Sequence, residues 1–388
     1  MNKSIEKLSV VEKIGYSLGD LAANLIFQTL VTFIAFFYTD VFGIPPGKAS
    51  VIIFICGWAG AFFSPVVGIL ADRTETRWGK FRPWILFTSI PFGVLSLLAF
   101  STPDFSENGK VIYAFVTYFA LVLIYSANNL PYAALSGVLT GNMQERNSLS
   151  AYRFVAVMVA QFVIQALLLP LVLIAGDGDK AEGFKTIMLI FSCVGVAFFL
   201  ITFFTTKERV KPVVAEKTRI GDDLKDLSGN RPWLIMLLVT VLIFVGLALK
   251  GGSYIYYFQY YVSESHAAQF LDQIGFNGFI NGLNSVLTGA GLTEFQWPED
   301  PATSMFSLFN AGGIILMIVG IGFSKRLADR FGKRDVYGIG LVISTVFMLA
   351  FYVFPPEAVW PIFISQVLHG FFYGITIPLL WAMIADVA

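Results

Sequence analysis

Long apolar stretches separated by short polar connections run along the whole chain. A helix needs about 20 mostly apolar residues to cross the hydrocarbon core of a bilayer. Windows of this size predict ten membrane spans, at about 14–38, 47–71, 83–101, 111–138, 149–174, 185–205, 233–262, 303–324, 336–354 and 361–387. These stretches are too long for barrel strands and lack their alternation of apolar and polar positions. The pattern therefore predicts an all-α polytopic membrane protein.

The composition excludes several other classes of protein. Charged residues make up 13% of the chain, about half the share found in soluble domains. The charges of the 26 basic and 26 acidic residues cancel. The chain therefore lacks the excess of positive charge that favours binding to nucleic acid. Residues 1–13 are charged and lack the apolar core of a signal peptide. Common metalloprotease and hydrolase motifs are absent from the sequence, so we expect no enzyme, metal or cofactor.

Basic residues orient the spans. Twenty of the 26 Lys and Arg residues lie in the N-terminal segment and in the connections after the second, fourth, sixth and eighth spans. The alternate connections hold only Lys48, Lys110, Lys180 and Lys185. Cytoplasmic connections are rich in Lys and Arg, so we expect a cytoplasmic N terminus.

A repeated motif divides the chain. Residues 70–73 and 327–330 both read Leu-Ala-Asp-Arg, and an aromatic residue, Gly and Lys follow each copy. The copies lie six spans apart on the same side, which is typical of two parallel six-helix halves. We expect an N-terminal half at 1–206, a cytoplasmic linker at 207–232 and a C-terminal half at 233–388.

The C-terminal half has two unusual features. It contains four predicted helices, so a twelve-helix protein would have two more after Ala388; a ten-helix protein is the alternative. Its connection at about 263–302 is long, and no Lys or Arg occurs from Gly251 to Ser324. That connection is either an insertion tolerated at the outer surface or a lid over the outer mouth.

Polar side chains inside the spans are candidate functional residues, because a charge near the bilayer centre costs about 2.5–3.5 kcal/mol. Asp20 and Asn24 share one face of the first span, where they line a polar cavity or cap helix contacts. The Asn129 amide in the fourth span suits sugar hydroxyls or a bond between helices. Arg153 opens the fifth span and binds either substrate or lipid phosphate.

The seventh and tenth spans supply a second group. Lys250 lies mid-helix before two glycines, and Tyr254 and Tyr257 follow at helical spacing. Paired glycines permit a helix break, where transporters bind ligands; an outer aromatic belt is the alternative for the tyrosines. His369 and Asp386 are candidates for coupling to proton movement, with an interhelical hydrogen bond as the alternative role of His369.

Seven motifs resemble the glycoside–pentoside–hexuronide:cation symporter family of the major facilitator superfamily, and they follow family order along nearly the whole chain. They are GYSLGD at 15–20, FYTDVFG at 37–43, RWGKFRPW at 77–84, NLPY at 129–132, YRF at 152–154, KGGSYIYYF at 250–258 and MIAD at 383–386. The resemblance implies a major facilitator fold that works by alternating access, with sugar bound between the halves. It also implies that Asn24, Asn129 and Arg153 contact the sugar and that Lys250 lines the same cavity.

The chain departs from this family at the cation site. The family has two carboxylates one helical turn apart, immediately before a Pro, where this chain has Gly60 and Ser64 before Pro65. Sodium prefers hard oxygen ligands, so a Ser hydroxyl with backbone carbonyls makes a poorer site. We therefore favour coupling to H⁺ through Asp20 over coupling to Na⁺, and facilitated diffusion without coupling is an alternative.

The Asp-Arg pairs of the repeated motif, Asp72–Arg73 and Asp329–Arg330, look like the inner gate of this superfamily; charges that only set topology are the alternative. Together the motifs predict a sugar or glycoside:cation symporter of the bacterial inner membrane that works as a monomer. Its partners would be a small-molecule sugar, a monovalent cation and the lipid bilayer. The 39 Phe residues would also permit a carrier of amphiphiles such as lysolipids.

Overall fold

A computed structural model describes residues 7–210, 229–289, 297 and 300–387 of the protein. The described residues form helices joined by short connections. The helices are α1 Val10–Phe36, α2 Pro46–Arg73, α3 Arg82–Ala99, α4 Glu107–Leu139, α5 Met143–Phe162, α6 Leu168–Ala175, α7 Lys180–Thr205, α8 Arg231–Tyr260, α9 Glu264–Gln273, α10 Phe276–Gly289, α11 Pro301–Phe331, α12 Lys333–Ala350 and α13 Val359–Val387. Each predicted span coincides with a helix, which confirms the all-α prediction.

Nine helices in the described ranges are long and apolar enough to cross a membrane. The first span continues from α1 through a π-helical turn at Phe37–Val41. A second π-helical turn, Val163–Leu167, joins α5 to α6 within the fifth span. The ninth predicted span, 336–354, differs from the structure because α12 ends at Ala350. The apolar run continues, but the prolines at 355 and 356 disfavour helical backbone before them.

Helix α12 forms the ninth predicted span and α13 the tenth. The start of α12 carries Lys333, Arg334 and Asp335, which leaves a short apolar stretch for the membrane. Its length and charge explain why α12 is not among the nine helices above.

Polar residues fix where several helices begin. Ser9, Asn142 and Asn230 each accept a hydrogen bond from a backbone N–H in the first turn of the helix that follows. Asp179 and Asp300 do the same for α7 and α11. Each cap satisfies an N–H group that has no partner inside the helix.

The contacts within the chain define two compact units. Unit 1 comprises residues 1–164 and 171–213, and unit 2 comprises residues 165–170 and 214–388. The division after residue 213 falls within the predicted linker 207–232, of which residues 211–228 lie outside the described part.

The predicted connection at 263–302 contains two helices that the sequence analysis missed. In unit 2, α9 packs against α11 and α13, and α10 follows it after a turn at Gly275, where φ is +69°. These helices have 10 and 14 residues, so windows of about 20 residues cannot detect them.

Glycines bring α11 and α13 close together in unit 2. A Cβ atom at Gly320 would collide with the carbonyl oxygen of Phe371, and one at Gly374 would collide with that of Met317. Small residues allow such close approach between membrane helices, where van der Waals contact drives association.

We expect Gly320→Ala to lower the thermal unfolding midpoint of the detergent-solubilised protein. The added methyl group must push α11 away from α13, and overpacking of this kind costs about 1–3 kcal/mol. Gly322→Ala is the matched control, because nothing lies within 4 Å of a Cβ atom there. Equal midpoints for the two variants would contradict this account of the packing.

Candidate functional site

An ion pair inside the spans of unit 1 joins α1 to α5. Arg153 Nε donates to Asp20 Oδ2 over 2.7 Å, and Asn24 Nδ2 lies 3.3 Å from Asp20 Oδ1. The Asp20 side chain is 9% exposed and that of Arg153 30%. The structure therefore brings three of the predicted substrate residues into one cluster. Since the Arg153 charge has a protein partner, the pairing argues against the lipid-phosphate alternative.

Two buried tyrosines stack beside this pair and join α1 to α4. The Tyr16 hydroxyl donates to the Tyr132 carbonyl oxygen over 2.9 Å, and the Tyr132 hydroxyl donates to the Tyr16 carbonyl oxygen over 2.6 Å. The ring centroids are 4.6 Å apart with planes 9° from parallel. Arg153 Cζ lies 5.6 and 5.7 Å from the two centroids, within the range of cation–π attraction.

The sequence analysis did not include these tyrosines in the site. Tyr16 precedes Asp20 by four residues, and Tyr132 follows Asn129 by three. Residues at these spacings lie on the same face of a helix, so spacing was the signal that could have found them.

Adjacent asparagines of α4 have different partners. Asn129 Nδ2 donates to the Tyr125 hydroxyl over 3.1 Å, a bond within α4. Asn128 Nδ2 donates to Thr88 Oγ1 of α3 over 2.8 Å. The interhelical bond suggested for Asn129 therefore belongs to Asn128. The Tyr125 ring stacks on Phe27 of α1 at 5.2 Å.

The cation-site positions of α2 are occupied by packing. Ser64 Oγ donates to the Gly60 carbonyl oxygen over 2.8 Å and lies 3.3 Å from Ser126 Oγ of α4. A Cβ atom at Gly60 would collide with Val122. A carboxylate at position 60 would therefore require the Val122 side chain to move or α2 and α4 to separate.

A cavity of about 260 Å³ lies between α8, α12 and α13 within unit 2. Lys250 and His369 both line it, together with Tyr373 and mainly apolar residues. Lys250 Nζ lies 5.1 Å from the centroid of the Tyr254 ring. His369 Nδ1 lies 2.8 Å from the Ser344 carbonyl oxygen, which is the interhelical bond considered for it. The structure thus joins two residues that the sequence analysis treated separately.

The helix break that the paired glycines permit beside Lys250 is not present, because α8 continues without interruption through Gly251 and Gly252. Each glycine in a helix interior lowers helix stability by only about 1 kcal/mol relative to alanine. The glycines therefore permitted a break without requiring one.

The two predicted tyrosines of α8 differ in their contacts. The buried Tyr254 hydroxyl lies 3.4 Å from Gln366 Oε1, and its ring packs edge-on against Phe309 at 4.8 Å. These contacts make it a packing residue between helices. The Tyr257 hydroxyl is buried and has no hydrogen-bond partner among the described residues, while its ring packs against Phe351 at 5.9 Å. Most buried polar groups are hydrogen-bonded, so this hydroxyl is an exception.

The predicted gate residues of unit 1 are the last two residues of α2, next to a tightly bonded connection to α3. Asp72 Oδ1 lies 3.1 Å from Lys80 Nζ of that connection, and Arg73 is the last residue of α2. In unit 2, Asp329 and Arg330 lie in the last turn of α11, where Arg330 Cζ is 5.1 Å from the Phe331 ring centroid.

A carboxylate far along the chain supports this connection. Glu208 accepts hydrogen bonds from the backbone N–H groups of residues 80, 81 and 82 over 2.8, 2.8 and 3.1 Å. These groups begin α3, where a negative charge is favourable. Glu12 of α1 forms a two-point pair with Arg209 over 2.6 and 2.9 Å. The sequence analysis missed both contacts.

Asp386, the remaining candidate for coupling, lies near the end of α13. Its side chain is outside the described part of the protein.

The family model, the relatives and the solved structures to which this chain is similar are all transport proteins. A family model described as MFS/sugar transport protein matches residues 15–289 and 300–388. The inner membrane symporter YicJ of Escherichia coli (strain K12) is 33% identical over 381 residues, 98% of this chain and 74% of that protein. The isoprimeverose transporter of Lactiplantibacillus pentosus is 37% identical over 263 residues, 67% of this chain and 55% of that protein. The solved D-xylose–proton symporter has a TM-score of 0.58 and 16% identity, covering 96% of this chain and 81% of that one, a likeness of fold.

Removing either charge of the ion pair should destabilise the protein. Asp20→Asn and Arg153→Gln should each lower the thermal unfolding midpoint in detergent, because each leaves one charge without its partner. A hydrogen bond to a charged group contributes about 1.5–3 kcal/mol, and the partial exposure of Arg153 places the effect at the lower end. The double variant should lose less than the sum of the single losses. Additive losses would contradict a direct interaction.

Proposed function

Because the chain belongs to the MFS/sugar transport protein family, we propose that it is a secondary active transporter that carries a sugar or glycoside together with a cation by alternating access. The family and the relatives are transporters and not enzymes. The major facilitator fold that the sequence predicted is confirmed by the family match and the solved structure. The chain is a multi-pass inner membrane protein.

The observation that carries the substrate assignment is the cluster of Asp20, Asn24 and Arg153. Sugar hydroxyls both donate and accept hydrogen bonds. A carboxylate supplies acceptors, a guanidinium supplies five N–H donors, and an amide supplies both. The Asp20–Arg153 pair uses Arg153 Nε, and the buried Tyr16 ring supports the guanidinium from beside it. We assign this cluster, with Asn129, to the sugar site.

The same proposal assigns residues of unit 2 to sugar binding. Lys250 can donate to sugar oxygens through its three ammonium N–H groups, and the Tyr257 hydroxyl supplies a further donor. The Lys250 ammonium lies over the ring of Tyr254, so Tyr254 acts by positioning that cation. In the proposed cycle the sugar binds between the two halves and is imported by a monomer.

We favour H⁺ as the coupling ion. Protonation of Asp20 would remove the charge that holds Arg153, which would free the guanidinium to bind sugar. Linkage is reciprocal, so sugar that draws Arg153 away would favour the protonated carboxyl. The α2 positions that bear carboxylates in the family are Gly60 and Ser64 here, and the collision with Val122 opposes a larger residue at position 60. His369 and Asp386 are further candidates for the proton path.

The coupling proposal predicts how labelled glycosides enter proteoliposomes. We expect an imposed proton gradient to drive accumulation and an imposed Na⁺ gradient to have no effect. Asp20→Asn should abolish accumulation while preserving counterflow exchange, since exchange needs no net proton movement. Accumulation driven by Na⁺ would contradict H⁺ coupling, and equilibration under both gradients would indicate facilitated diffusion. A lysolipid in the same panel tests the amphiphile alternative.

Arg153→Ala should abolish glycoside uptake without reducing membrane insertion, because it removes the donor group of the cluster. Uptake is compared per amount of monodisperse protein, so that any loss of stability is counted separately. Lys185→Ala is the control: Lys185 belongs to an exposed pair with Glu182 at 3.1 Å, and its removal should leave uptake unchanged. Normal uptake by Arg153→Ala would remove this residue from the site.

A further inference from the structure

Helix α10 has an apolar face that the described protein does not cover. Phe279 is 67% exposed, Leu283 37% and Val286 68%. Positions i, i+4 and i+7 lie on one side of a helix, so these side chains form a continuous stripe. Asn281 and Thr288 lie on the opposite side and are also exposed. The helix is thus amphipathic, and the stripe is the uncovered edge of its apolar side, on which Phe276 is buried.

The composition of α10 indicates which kind of surface its apolar stripe can contact. None of its residues, from Phe276 to Gly289, is charged. Helices that bind membranes through charge carry Lys or Arg on the polar face, and α10 has neither. Any association of this helix with a surface must therefore depend on burial of its apolar stripe.

Neighbouring aromatic residues place the start of α10 at the edge of the membrane. Trp360, in the first turn of α13, donates from Nε1 to Gln273 Oε1 over 2.9 Å, and Gln273 is the last residue of α9. Tyr260 and Tyr352, at the same ends of α8 and α12, are 67% and 91% exposed. Exposed Trp and Tyr residues at helix ends mark the headgroup level of a bilayer.

From these observations we propose that α10 is an interfacial helix, with its Phe279–Leu283–Val286 stripe inserted in the leaflet next to the α9 end of unit 2. The stripe continues the lipid-facing surface that begins at the exposed aromatic residues. Because the helix carries no charge, its insertion depends on burial of the stripe and not on the charge of the headgroups. A lid over the transport pathway would instead bury the stripe against protein.

Spin labels at single cysteines test this assignment in lipid vesicles. Cys193, which is exposed, is replaced by Ser, and the buried Cys56 is retained. Labels are placed at Phe279→Cys, Leu283→Cys and Val286→Cys, with Asn281→Cys and Thr288→Cys as matched controls on the other face. Because all five positions except the half-covered Leu283 are well exposed, substitution there should not disturb folding. Power-saturation EPR measures how often each spin label collides with oxygen, which concentrates in lipid, and with a nickel chelate, which stays in water. The ratio of the two collision rates reports whether the label lies in lipid or in water.

We expect labels on the stripe to favour oxygen over the nickel chelate by at least severalfold, and labels on the control face to show the reverse. The result should be the same in phosphatidylcholine vesicles and in vesicles that also contain phosphatidylglycerol. Equal access of the nickel chelate to both faces would overturn the proposal, since α10 would then lie in water. Protection of the stripe from both reagents would also overturn it and would indicate a protein contact such as a lid.

Discussion

A charge within the hydrocarbon region must find its counterpart on another part of the protein, and this constraint organises unit 1. Asp20 and Arg153 lie on different helices, so their ion pair holds α1 against α5. The reciprocal bonds of Tyr16 and Tyr132 hold α1 against α4 beside it. The groups suited to bind a sugar are therefore the same groups that hold the helices together. A ligand that binds to these groups must replace the hydrogen bonds between helices that it breaks, which links ligand binding to helix packing.

Unit 2 meets the same constraint in another way. No ion pair joins Lys250 to a carboxylate in the part of the chain that the structure describes, and its ammonium lies over the ring of Tyr254. His369 lines the same cavity and is fixed by the carbonyl oxygen of Ser344. The two units therefore differ in chemistry although a motif repeats between them. Such a difference suits a transporter that must bind a ligand with no symmetry of its own.

Sequence patterns predicted the features that depend on local periodicity. Apolar length located the spans, and helical spacing placed Asp20 and Asn24 on one face. Such patterns could not predict contacts between residues far apart in the sequence. Glu208, for example, bonds the backbone of residues 80–82, which precede it by more than 120 positions. The short helices α9 and α10 were missed because neither is long enough to resemble a span. The paired glycines could not decide the backbone of α8, because glycine is compatible with both a break and a continuous helix.

The repeated motif also shows how a sequence repeat can reflect a backbone requirement. Gly79 and Gly332 occupy the same place in the two copies, and their φ angles are +112° and +88°, a region that disfavours side chains. In unit 1 this conformation directs successive N–H groups at Glu208, and a Cβ atom at Gly79 would lie 2.5 Å from its carboxylate. The connection that follows Asp72 is therefore bonded to the segment after α7. A charge at a helix end moves with the whole helix, which is the property that a gate between two conformations requires.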